Sequence, residues 1–455
     1  MRKTVLWSLP AIVLIQVASA SAQTNAPQAS TPDPAPSQSN PVPASVEPGM
    51  TQGVLGDWGG VRLDLYRQGI DLQIGYGNQT ATNLAGGTGH SLTTIGQAYF
   101  GAGLDLYRLA GLSGGKFQLT ITKRHGVNLT AKENLGLYQQ VQEATGRGNV
   151  FRLTQASYEQ TLLNGALTMK AGRLPVGNDF GAFGCDFMNL SFCNAPQGTL
   201  PYGYTYFYDG PVSTWAGLGR VNLNGKSLRG YIQAGVYQTN PRTTDPTNGF
   251  RLGFAGGTGV LLPVEAAIFP DLGGDRPGSY KIGAWYETSR TTDVAYDGEG
   301  QPILATGQAG RAVRGRYGFH VQIEQQITPS PEGLGRNGLS VFFNIVQFDR
   351  RTSLVDSQIA TGATWTGPFA SRPNDQFAVA VARTQTNPRY SAVERRVAGP
   401  ATLGLGSEYV IELDYRIVPA PGLKFSPNVQ WGISPGGRSD RHNVVAIGMK
   451  TSLSL

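Results

Sequence analysis

The chain has 455 residues, of which 15% are charged, with 62 Gly, 28 Pro and a formal net charge of +7. Its Lys and Arg residues are scattered, with no basic block and no long basic helix, which gives a nucleic-acid-binding reading little support. Past residue 22 no run of apolar residues is long enough for a membrane-spanning helix, so a bilayer could be crossed only by a closed barrel.

Residues 1–22, MRKTVLWSLPAIVLIQVASASA, open with Arg2 and Lys3, continue through an apolar stretch and end on small residues. That is the form of a secretory signal peptide, with cleavage expected after Ala20 or Ala22. Its removal takes two positive charges, leaving +5 from +7. Residues 23–52 are rich in Pro, Ser, Ala and Gln and cannot bury a core, so they are expected to form a flexible leader. Ordered structure is expected over residues 53–455.

From there the recurring signal is strict alternation. KFQLTIT sets Phe117, Leu119 and Ile121 against Gln118, Thr120 and Thr122. In LRGYIQAGV, Ile232, Ala234 and Val236 oppose Arg229, Tyr231 and Gln233; in YKIGAWYE, Ile282, Ala284 and Tyr286 oppose Lys281, Trp285 and Glu287. YGFHVQIEQ separates Phe319, Val321 and Ile323 from His320, Gln322 and Glu324. The stretch 408–417 is the sharpest, with Tyr409, Ile411, Leu413, Tyr415 and Ile417 on one face and Glu408, Val410, Glu412, Asp414 and Arg416 on the other. About fifteen such segments of some ten residues each fit tilted membrane strands. Some turns are short, whereas residues 124–149, 175–212, 289–313 and 350–374 read as long connections, the asymmetry of outer-membrane barrels. Residues 131–146 are expected to hold a short helix within one of them. The fold class is thus all-β, a transmembrane antiparallel barrel whose oily face meets lipid and whose charged face meets water; a soluble β-sandwich is disfavoured by the 40% hydrophobic fraction.

Export and short spacing predict a disulfide between Cys185 and Cys193. GLSGG (111–115) matches a serine-hydrolase pattern, but it sits between two strands and reads as a turn, as does GRVNLNGKS (219–227). The four histidines are isolated, so no metal site, cofactor or catalytic residue is expected and the chain is not read as an enzyme. The water-facing strand positions include Glu159, Lys170, Arg229, Tyr231, Trp285, Glu324, Glu412 and Arg416. Both charge signs occur among them, which suits neutral polar solutes better than ions of one sign.

Three blocks in order resemble the carbohydrate-selective porin family, the OprB-type porins of Gram-negative outer membranes. They are LGDWGGVRLDLYRQGIDLQIGY (55–76), FRLTQASYEQTLLNGALTMKAGRLPVGNDFGAF (151–183) and EYVIELDYRIVPAPGLKFSPNVQWGISPGG (408–437). The resemblance implies a 16-stranded barrel in the outer membrane through which glucose and other small sugars diffuse passively, narrowed by an inward-folded loop. It places Glu159 and Arg173 in the central block and Asp179 at the start of the following loop, which the Cys185–Cys193 pair would pin. Small carbohydrates and outer-membrane lipid are the implied partners, with monomer and trimer both open. The other reading of the barrel is a general-diffusion or anion-selective porin. Tyr231, Trp285 and YGYTYFYDG (202–210) would offer aromatic faces to sugar rings, and Arg, Glu and Gln would hydrogen-bond the hydroxyls.

Overall fold

The computed structural model describes residues 53–193, 206–225, 228–273, 276–329, 337–399 and 405–455. The expected signal peptide and leader, residues 1–22 and 23–52, lie outside the described residues.

Sixteen antiparallel strands follow one another around one closed sheet. They begin with β1 (Ile70–Ala85), β2 (Thr93–Asp105), β3 (Gly115–Gly126), β4 (Phe151–Leu162), β5 (Leu167–Leu174) and β6 (Thr214–Asn224). The wall continues through β7 (Arg229–Thr239), β8 (Gly259–Ile268), β9 (Gly278–Asp297), β10 (Gly310–Gln326) and β11 (Gly338–Phe348). It ends with β12 (Val355–Thr366), β13 (Gln376–Thr386), β14 (Ser407–Ala420), β15 (Leu423–Ile433) and β16 (Val444–Ser454). β16 then pairs with β1, with Ser454 opposite Gly75 and Val445 opposite Ala85. Closure leaves no strand edge to strand its amides and carbonyls in lipid.

The N-terminal block locks this seam. Gly59 and Gly60 take positive φ, which lets GDWGG turn sharply into the helix Val61–Arg67. Arg62 then stacks 5.5 Å from the Trp58 ring centroid and donates to the Leu455 backbone oxygen at 3.1 Å. The hydrogen bond ties the start of the chain's ordered part to its C-terminal end, and the cation–π contact with Trp58 holds Arg62 in place for it.

The alternation runs in the expected direction. On β14, Leu413 is 45% exposed on the outside, whereas Glu412 is fully buried inside. On β13, Val379 and Val381 face outward while Ala378, Ala380 and Ala382 are buried inward. The inward alanines leave room for loop aromatics: Phe183, Phe187 and Phe192 pack against them together with Phe342 and Val410. Each fully buried ring contributes roughly 1.5–3 kcal/mol relative to an exposed one. Gly448 serves the same end, since a Cβ there would lie 2.3 Å from the Met188 methyl.

Three expectations change. Residues 350–374 are not one connection, because β12 crosses within them; its residues are small and polar on both faces (Ser357, Thr361, Gly362, Ala363, Thr364), so alternation was weak. The connection expected over 289–313 shrinks to 298–309 because β9 and β10 extend past the membrane band. The helix expected over 131–146 is one turn, Leu129–Lys132, ended by positive φ at Asn134 and Gly136. The rest of that segment is irregular and buries Leu135, Leu137 and Val141 inside the barrel beside Ala81, Val444 and Ala446.

The outward direction of Leu413 sets the cost of charging it. Leu413→Arg should destabilise the barrel by about 2–4 kcal/mol, read as loss of the heat-resistant band on an unboiled gel, while Glu412→Gln on the inner face of the same strand should keep that band.

Candidate functional site

The lumen is occupied by two connections that fold inward, residues 127–150 between β3 and β4 and residues 175–213 between β5 and β6. Of the second, residues 194–205 lie outside the described residues. Neither connection could remain there on apolar contacts alone, because each brings backbone amides and carbonyls out of water.

Carboxylates on the wall meet those amides. Glu265 on β8 accepts from the Gly181 amide at 2.5 Å, from the Tyr231 hydroxyl at 2.6 Å and from Gln233 at 3.1 Å, with His320 at 3.0 Å. Glu412 accepts from the Met188 and Asn189 amides at 2.7 and 2.8 Å. Glu408 receives the Tyr138 and Gly436 amides at 2.8 and 2.7 Å, and Glu287 receives the Tyr206 amide at 3.0 Å. All four carboxylates are buried. A buried carboxylate is costly unless hydrogen bonds offset its lost water, and here each of the four accepts one or two backbone amides.

Cations and amides hold the loop carbonyls in turn. Lys281 donates to the Ala182 oxygen at 2.5 Å, Gln322 to the Gly181 oxygen at 2.9 Å, and Gln430 to the Val141 oxygen at 3.0 Å. Lys450 reaches the Cys185 and Phe187 oxygens at 2.7 and 2.9 Å and pairs with Glu143 at 3.2 Å. The two connections also bond each other, from the Leu190 amide to the Gln140 oxygen at 3.0 Å. Between these anchor points Cys185 and Cys193 are joined by a disulfide. Glu143 lies near both sulfurs, but sulfurs already bonded to each other offer no thiolate to a metal.

Arg416 grips Asp186 at 2.9 Å and also donates to its backbone oxygen at 2.9 Å. Burial pushes the Asp186 carboxyl up, but Arg416, Lys424 and Lys450 outweigh it and hold the group below the ordinary value of 3.8. Its contribution is therefore complete above pH 3.8 and is lost only as pH falls through the lower folded value.

The residues singled out in the sequence fall into three places. Glu159 and Lys170 are cross-strand neighbours on β4 and β5, and Lys170 pairs with Asp179 of the loop at 2.8 Å. Tyr231 reaches the same zone through Glu265, while Glu412 and Arg416 hold the far stretch of the loop. Arg229 and Glu324 stand apart from both, near the short-turn ends of β7 and β10. Arg173 follows Gly172, whose φ of +139° breaks the alternation, and donates to the Ser213 carbonyl.

One expectation needs correcting in kind. Tyr231, Trp285 and Glu412 face the lumen but are buried: Trp285 and Glu412 meet the inward loop, and Tyr231 meets Glu265, Arg220 and Phe269. Trp285 is 3% exposed, packed on Phe207 at 5.3 Å and Phe348 at 6.0 Å. The aromatic surface left partly open belongs to the loop. Tyr206 and Tyr208 meet edge to face at 5.5 Å, with Arg316 5.3 Å from the first ring and Arg147 5.1 Å from the second. Burial pushes the Tyr208 hydroxyl's pKa upward, so it remains a neutral donor. The remainder of the expected aromatic stretch, residues 202–205, lies outside the described residues. Glu265, Lys450 and Asp186 were not singled out in the sequence, although alternation next to Val264 and Met449 marks the first two as inward.

The family described as carbohydrate-selective porin, OprB family, matches residues 89–455. Porin B of Pseudomonas aeruginosa is 35% identical over 414 residues, covering 87% of this chain and 90% of that one. A putative porin, QuiX, of Acinetobacter baylyi is 31% identical over 431 residues, 89% of this chain and 93% of its own. The high-pH structure of Pseudomonas putida OprB, 33% identical, superposes with a TM-score of 0.82 over 89% of this chain and 98% of that one. The low-pH structure of the same protein covers the same shares at 25% identity and a TM-score of 0.56.

Glu412→Ala removes two hydrogen-bond acceptors from a buried loop backbone. Amide exchange at Met188 and Asn189 should accelerate by about tenfold or more, since leaving a buried donor unpaired costs roughly 1–3 kcal/mol. Hydrogen-exchange mass spectrometry would read this, with strand amides of β14 unchanged.

Proposed function

The chain belongs to the OprB family of carbohydrate-selective porins, and from that premise we propose that glucose and similar small neutral sugars cross its lumen by passive diffusion. It is a carbohydrate-selective outer-membrane porin with a closed 16-stranded wall. The observation that carries the finer reading is the balance of lumenal charge. Lys170 pairs with Asp179, Arg416 with Asp186 and Lys450 with Glu143, at 2.8, 2.9 and 3.2 Å. Opposite signs this close cancel beyond a few ångströms, so no single-sign field builds up to draw one ion or repel the other.

A neutral sugar meets no electrostatic barrier in such a passage and finds donors and acceptors to replace its water. Glu159 and Lys170 are the side chains we assign to the hydroxyl-exchanging wall, with the buried Arg173 and Asp179 behind them holding its shape. Tyr206 and Tyr208 present ring surface for the C–H face of a pyranose, with Arg147 and Arg316 beside them. Contacts of this kind are individually weak, as transport demands, because a solute bound tightly would not leave.

Proteoliposomes carrying the protein should swell in isotonic glucose, and ion selectivity in planar bilayers should be weak. Sugar should partly block the ion current, and Glu159→Ala or Arg173→Ala should shift the half-blocking concentration by about two- to tenfold, the worth of one hydrogen bond. Arg351→Ala, on the outer β11–β12 connection, should leave it unchanged. A strongly anion-selective current that glucose neither follows nor blocks would favour an anion porin instead.

A further inference from the structure

The outer wall carries a charge arrangement that the passage does not use. Arg290 on β9 and Arg314 on β10 are directly opposite each other in the strand register, and both are exposed on the lipid-facing side. Like charges in a cross-strand pair repel, with Cβ atoms only about 4.5–5.5 Å apart. Among the described residues neither guanidinium has a hydrogen-bond or ion-pair partner. The nearby acid on β9, Asp293, points inward and is already held by Arg311 at 3.7 Å and Arg389 at 2.7 Å.

Their height matters as much as their charge. Toward the short-turn end of the same two strands, Tyr286 and Tyr317 form the next outward pair, exposed at 46% and 55%. Beyond them lie Ile282 and Phe319, both exposed to lipid. Paired outward tyrosines above an aliphatic band mark the edge of the hydrocarbon layer. The arginines lie four residues from Tyr286 and three from Tyr317 toward the long loops, roughly 10 Å further out along a tilted strand. That is the headgroup layer on the outer side.

We propose that Arg290 and Arg314 together bind the phosphorylated headgroup of an outer-leaflet lipid. Two adjacent guanidinium forks suit phosphate oxygens, and an anion between them turns the mutual repulsion into attraction. Free phosphate would gain only the charge contact. A lipid also lays acyl chains on Tyr286, Tyr317 and Phe319, which continue the same surface downward, so the lipid is the favoured occupant.

The test uses the detergent-solubilised barrel with three probes: lipid A carrying both phosphates, the same lipid dephosphorylated, and inorganic phosphate. Native mass spectrometry and the barrel's melting midpoint should register the bis-phosphorylated lipid at concentrations where the other two have no effect. Arg290→Gln/Arg314→Gln should weaken its binding at least tenfold, Arg290→Lys/Arg314→Lys should retain most of it, and glucose flux should be unaltered in both. Equal binding by the Gln double variant would overturn the proposal. So would equal retention of the dephosphorylated lipid, and an equal response to inorganic phosphate would reduce the pair to a simple anion site.

Discussion

A wide barrel in lipid turns the usual sheet inside out, and everything within it must be polar enough to meet water yet full enough to restrict passage. Here the two demands meet at the wall carboxylates Glu265, Glu287, Glu408 and Glu412. Each would be too costly to bury alone, and each loop amide would be too costly to remove from water alone. Brought together they satisfy one another, so the inward connections stay folded against a wall that closes on its own strand pairing. Apolar packing then adds rigidity, with loop phenylalanines seated on the inward alanines of β13.

This division of labour separates structural charge from functional charge. The buried acids Glu265, Glu287, Glu408 and Glu412 are anchors, and the partly exposed charged side chains of the lumen include Glu159, Lys170, Asp186 and Lys450. Because Lys170, Asp186 and Lys450 are matched with partners of opposite sign, the passage is polar without being strongly charged. A porin chosen for neutral sugars rather than for ions needs that combination. The aromatic ledge of Tyr206 and Tyr208 belongs to the same loop as the Asp186 and Cys185 stretch, so whatever positions the loop also positions those rings.

How much of this was legible beforehand depended on what period-two alternation can report. It gives direction, and the directions on β7, β9, β10 and β14 are as read, down to Leu413 outside and Glu412 inside. It fails where both faces are small and polar, which is why β12 reads as part of a connection. It also says nothing about what an inward side chain touches. Trp285 and Tyr231 look like open sugar faces in the sequence, but Phe207, 78 positions away in the chain, packs on Trp285, and Glu265 of the neighbouring strand takes the Tyr231 hydroxyl. The segment 131–146 has helical composition, yet positive φ at Asn134 and Gly136 and the lumenal pocket for Leu135, Leu137 and Val141 decide its shape. Contacts between distant segments are tertiary facts, and one sequence read locally does not contain them.

If the buried carboxylates hold the loops that restrict passage, then loosening them should widen the sieve without opening the wall. The direct measurement is the size cut-off for sugars entering proteoliposomes made with the unaltered protein and with Glu265→Ala/Glu412→Ala, both checked for an intact heat-resistant barrel. The account predicts that a trisaccharide, slow through the unaltered protein, enters the double variant at a rate approaching that of glucose. An unchanged cut-off in an intact double variant would contradict it.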